Sequence, residues 1–142
     1  MEYFGKTVCA TYDELTSGND PVIKPGTLKS LQYRKRVDVI SRGGGGGNIA
    51  LYVYSSIPER YRIRFEQKYG DPVELIKEQC MKDRLKIDDA ARTFFEDYRY
   101  DKAGEMVSLT ERKKEEYTIN ASVLNELISI LNDREGYRKA LG

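Results

Sequence analysis

At 142 residues, with a net charge of +1, a third of the residues charged and 11% aromatic, the chain has room for one compact domain or two small ones. Its aromatic content excludes a disordered class. There is no histidine and there are only two cysteines, far apart. That rules out a His-dependent catalytic triad and leaves no Cys/His zinc pattern, so no metal and no cofactor are expected. No apolar run approaches the roughly 18 residues of a membrane span. Met1-Glu2-Tyr3-Phe4-Gly5-Lys6 lacks a signal-peptide pattern, so the expected compartment is the cytoplasm, with no membrane partner. In that setting Cys9 and Cys80 read as small buried hydrophobes.

Met1 to Val8 alternates weakly and reads as a short strand or an arm. Thr11-Tyr12-Asp13-Glu14 has the form of a capping box and predicts a short helix from Tyr12. Ser17-Gly18-Asn19-Asp20-Pro21 and Pro25-Gly26 are turns. Thr27 then reads as the N-cap of a helix from Leu28 to about Arg36. Leu28 and Leu31 face the core, while Lys29, Tyr33 and Arg36 lie on another face beside Ser30 and Arg34. Val37 to Arg42 and Asn48 to Tyr54 read as two strands joined by Gly43, Gly44, Gly45, Gly46 and Gly47. A tight hairpin needs one or two glycines, so five predict a flexible, side-chain-poor tip. Helix, turn, helix and then hairpin is the winged helix-turn-helix order.

Ser55-Ser56-Ile57-Pro58-Glu59 predicts a helix start, with Tyr61, Phe65 and Tyr69 as its buried stripe and Gly70 as its end. Asp71-Pro72 marks a boundary. Beyond it the chain reads as helical: Pro72–Lys82 through Val73, Ile76 and Cys80; a helix capped by Asp88 or Asp89 through Ala90, Ala91, Phe94, Phe95 and Tyr98, broken at Gly104; a charged helix opened by the capping box Ser108-Leu109-Thr110-Glu111 and running to about Tyr117; and a last helix burying Val123, Leu124, Leu127, Ile128 and Leu131. The expected fold is mainly α with a small β-hairpin: a winged helix-turn-helix in residues 1–70, then a helical domain in residues 71–142.

Charge is unevenly spread. Residues 1–70 carry 11 Lys and Arg against 7 Asp and Glu, and residues 71–142 carry 13 against 16. Between Lys24 and Arg42 six cations face one anion, Asp38. This is the footprint of a polyanion site or a solvated cationic face. Lys29, Ser30, Gln32, Tyr33 and Arg36 are of types that read base edges, whereas Lys24, Arg34 and Lys35 suit phosphates. At the hairpin, glycine lets the backbone approach DNA closely, with Arg42 at one root for a phosphate or narrow minor groove and Asn48 at the other. The glycine run has no following Lys-Ser/Thr and opens a strand, so it fits neither a Walker loop nor a dinucleotide fingerprint. Asp88-Asp89 reads as helix capping, and Glu96-Asp97 and Glu115-Glu116 as surface charge. Arg60, Arg62 and Arg64 point around a helix and cannot all face one groove.

Taken together, Thr27-Leu28-Lys29-Ser30-Leu31, Arg42 with the glycine run, and Tyr54-Ser55-Ser56-Ile57-Pro58-Glu59-Arg60-Tyr61 resemble the N-terminal winged-helix domain of bacteriophage Mu-type transposases and repressors. Ile57 stands where that family has Leu, and its Trp near the end of the recognition helix is missing, with Val37 or Val39 as substitute packing. The resemblance covers about residues 8–70. Asp88–Arg92 and Tyr117–Asn125 are more loosely similar to the helical segment that follows in transposase-like proteins of Bacteroides-type bacteria. The resemblance implies binding of duplex DNA at a mobile element, with the helix from Thr27 to Arg36 in the major groove and the wing from Arg42 to Asn48 on the backbone or minor groove. It also implies no catalysis by this chain, since the ribonuclease-H-like domain of such enzymes is separate. Implied partners are duplex DNA and either a catalytic transposase domain or a second copy. The competing expectation is a protein–protein adaptor that uses the aromatic-rich helices and has no DNA role.

Overall fold

The computed structural model describes residues 1–42, 49–100 and 107–135. The glycine tip with Asn48 and the expected break at Gly104 lie outside these residues. The protein is mostly helical, with one small antiparallel sheet. The chain opens with β1 (Glu2–Phe4) and β2 (Thr7–Thr11), paired with Tyr3 opposite Val8. Gly5 turns the corner with a φ of 59°, a value open to glycine without a Cβ clash. Of strand and arm, the structure therefore shows a strand, hairpinned onto a second.

Thr11 ends β2 and caps α1 (Tyr12–Thr16). Its Oγ1 accepts from the Glu14 amide while Glu14 Oε1 accepts from the Thr11 amide at 3.0 Å, the reciprocal box expected from Thr-x-x-Glu. After the turn residues comes α2 (Pro25–Tyr33), then the hairpin strands β3 (Val39–Arg42) and β4 (Ile49–Val53), with Arg42 opposite Ile49. β4 also pairs with β2, so the sheet order is β1-β2-β4-β3. A single 3-10 turn (Tyr54–Ser56) leads to α3 (Glu59–Tyr69). Pro58 flanks that helix as its N-cap.

Phe65 is fully buried between Tyr54, in edge contact at 5.5 Å between ring centroids, and Tyr69 at 4.8 Å. Tyr61 and Tyr69 are only half-buried, and the Tyr69 hydroxyl donates to the Glu14 carbonyl at 2.8 Å. Gly70 stops α3 with a φ of 100°, and Asp71 accepts from the Val73 amide to start the next helix.

Two long helices follow, α4 (Pro72–Tyr100) and α5 (Val107–Asn132), packed along each other. Here the structure corrects the expected boundaries. α4 runs unbroken through Asp88-Asp89, where a new cap was expected. Asp88 faces Arg84 one turn back and Asp89 holds Arg92 at 3.3 Å, so both carboxylates are accommodated inside a helix. α5 is likewise one helix, with Ser108 inside it and no break between Tyr117 and Val123.

One buried cluster joins Val8, Ala10, Leu15, Val22, Ile23, Leu28, Leu31, Val37, Tyr54 and Phe65 to Val73, Ile76, Cys80, Leu124, Leu127 and Leu131. α4 and α5 also hold the first hairpin from outside. Tyr3 donates to Asp83 at 2.7 Å, Gln79 supports the same carboxylate at 3.0 Å, and Lys6 pairs with Glu126. Among the described residues, no helix is long and apolar enough to cross a membrane.

Candidate nucleic-acid interface

α2 begins earlier and ends earlier than its sequence suggests. Thr27 is a good capping type, but the helix starts two residues before it. Lys24, in extended conformation, is the N-cap, and Pro25 takes the first helical position, where its fixed φ fits and its missing N–H is not needed. Thr27 is therefore inside the first turn and half-buried. Leu28 and Leu31 are buried as expected and fix which side of the helix faces the core.

The opposite side is open. Lys29, Ser30, Gln32 and Tyr33 are all exposed, Tyr33 at 89%. Arg34 is the C-cap, so Arg34, Lys35 and Arg36 lie on a turn past the helix rather than on its last coil. This corrects the expected helical register of Arg36: it does not continue the Lys29–Tyr33 face. The turn is tightly made. The Arg34 amide donates to Ser30, the Lys35 amide to Gln32 at 3.1 Å and the Arg36 amide to Leu31 at 2.9 Å. The last two bonds form a Schellman closure, with Lys35 in the left-handed position at φ 56°. Because these three N–H groups are spent on helix carbonyls, any anion here must be met by side chains.

Val37 is buried, and Val39 is half-buried against the same core. Asp38 is tied down next, its amide donating to Ser56 Oγ at 2.8 Å and its carbonyl accepting from Val53 at 2.9 Å. The cationic turn is thereby fixed to the end of β4 and the 3-10 turn that follows it.

Several cations elsewhere in the molecule are engaged by carboxylates or carbonyls. Lys6, Lys82, Arg84, Arg92 and Arg134 each reach a carboxylate. On α3, Arg64 holds Asp20 and the Pro21 carbonyl, both at 3.2 Å, and Lys68 holds the Ser17 carbonyl at 2.9 Å. Arg60 lies over the Tyr61 ring at 4.7 Å, and Arg62 has its Nε buried. The α3 cations are therefore largely structural. By contrast, Lys24, Lys29, Arg34, Lys35 and Arg36 are exposed, and among the described residues none forms an ion pair. Sequence reasoning could count these charges but had no signal for which of them would be neutralised.

The groups with perturbed titration lie elsewhere. Burial and the Asp83 carboxylate push the Tyr3 hydroxyl above its ordinary range, burial raises Tyr52, and burial pushes the Cys80 thiol up to about 11. All three are kept neutral. Both cysteines are buried and neither is in a disulfide, and among the described residues no three acidic or thiol side chains gather as a metal site.

No family model, no curated protein and no solved structure matches this chain.

Proposed function

We propose that this protein binds double-stranded DNA without catalysing a reaction itself, as the recognition part of a mobile-element protein of transposase or repressor type. The observation that carries the reading is the set of five exposed cations between Lys24 and Arg36 that no carboxylate neutralises. The fold engages Lys6, Arg64, Lys82, Arg84, Arg92 and Arg134 with carboxylates and leaves these five free for a polyanion. In this reading residues 1–70 are a winged helix-turn-helix and residues 71–142 a helical support. α2 enters the major groove, where Lys29, Ser30, Gln32 and Tyr33 meet base edges. Lys24, Arg34, Lys35 and Arg36 contact phosphates on either side, Arg36 joining this group because it has left the helix. The β3–β4 hairpin with its glycine tip lies against backbone or minor groove as the wing.

Fluorescence anisotropy with a mixed-sequence duplex tests it. Four to five neutralised phosphates predict a fall in affinity on the order of a hundredfold to a thousandfold between about 50 and 200 mM salt. Arg34→Ala/Arg36→Ala should lower the slope of log affinity against log salt by about 2. Absence of duplex binding at low salt would sink the reading.

A second reading, a protein-binding adaptor located in the cytoplasm, draws on exposed Met81, Leu85 and Ile119 along α4 and α5. The open face of α2 supports the DNA reading over this one, because an adaptor working through the helices leaves five unpaired cations without a role.

A further inference from the structure

Lys35 is, among the described residues, the one non-glycine residue with a positive φ. Its position is the residue after a helix C-cap, where glycine is the usual occupant because a Cβ is strained there. The chain uses glycine freely elsewhere, including Gly70 at the C-cap of α3. Lysine at position 35 is thus locally unfavourable, and no ion pair or hydrogen bond of its side chain compensates within the described residues. Residues kept in unfavourable backbone conformations cluster where function needs their side chains.

We infer that Lys35 is retained as a sequence-independent phosphate anchor at the expense of fold stability, so that affinity for DNA and stability are opposed at this residue. The left-handed backbone turns the chain back at the end of α2, and the Schellman bonds from the Lys35 and Arg36 amides hold that turn rigid. A rigid turn offers its ammonium with little backbone entropy left to lose on binding. The same closure removes the backbone amides from play, so the side-chain charge is what position 35 can contribute. This role depends on the duplex binding proposed above.

Three variants separate it from a purely structural lysine, which would only complement the helix dipole. Lys35→Gly and Lys35→Asn both relieve the left-handed strain and delete the charge. Each should raise the thermal midpoint by about 2–4 °C. Each should also bind a mixed-sequence duplex about five- to tenfold more weakly at about 0.1 M salt, with a salt slope smaller by about 1. Lys35→Arg should keep wild-type affinity and slope. If wild type binds duplex and Lys35→Gly binds equally well, the anchor is overturned while the duplex reading stands. If Lys35→Gly melts lower than wild type, the opposition is overturned. If wild type itself shows no salt-dependent duplex binding, both readings fall together.

Discussion

Tyr33 is 89% exposed, and its hydroxyl and ring meet solvent beside Lys29, one turn back on α2. Its removal should leave the fold intact. Tyr33→Ala is expected to shift the thermal midpoint by no more than about 1 °C, since surface substitutions move stability little, while duplex affinity falls in the anisotropy assay. Residues packed into or against the core behave in the opposite way. Tyr3 and Cys80 are favoured in their neutral forms by the fold, so their folded titration lies above the unfolded one. The stability they contribute is complete below the unfolded values. It is lost as pH rises, from 9 towards about 11 for the Cys80 thiol and above 10 for Tyr3. Tyr3→Phe should therefore flatten the alkaline end of a denaturation-against-pH curve and, at neutral pH, lower stability by about 1 kcal/mol for the lost bond to Asp83. The α2 core residues were legible from spacing, because Leu28 and Leu31 obey helical periodicity. The freedom of Lys24, Lys29, Arg34, Lys35 and Arg36 was not, because pairing depends on residues tens of positions away, such as Asp71 reaching Arg134.

Among elements, α1 shows how far a local rule can carry. Its five residues are too few for a helix to stand alone, so the capping box and the burial of Leu15 hold it. Thr11→Ala should destabilise the protein by about 1 kcal/mol, read by urea denaturation. The box was visible in four letters because both its hydrogen bonds are local. Other local signals misled. Thr27, Asp88, Asp89 and Ser108 are all capping types, yet all sit inside helices. A proline two residues ahead of Thr27 started α2 first, and arginines one turn away made Asp88 and Asp89 compatible with helix interior. Capping types report an end only where the backbone has no better alternative. The β1–β2 hairpin was half legible, since its pairing with β4 depends on a strand some forty residues later.

For the whole molecule, the decisive fact is that one buried cluster spans Val8 to Leu131. The composition break at Gly70-Asp71-Pro72 is a true helix end, with α3 stopping at Tyr69 and α4 starting at Pro72. Yet Arg134 reaches back to Asp71 and Glu74, and Lys6 reaches forward to Glu126. Leu127→Ala should lower stability by about 3 kcal/mol. Tyrosine fluorescence and helical circular dichroism should then report the same shifted midpoint, as a cooperative unit requires.

That shared core also sets a schedule. A chain leaving the ribosome presents its N-terminal end first, at about 5–20 residues per second. β1, β2 and α2 emerge with their apolar sides uncovered, and the leucines of α5 that close the cluster, ending with Leu131, come last. For several seconds, the cationic turn at Arg34–Arg36 is already outside while its foundation is incomplete. During that interval the nascent chain carries its cationic segment beside ribosomal RNA before the core beneath it is complete.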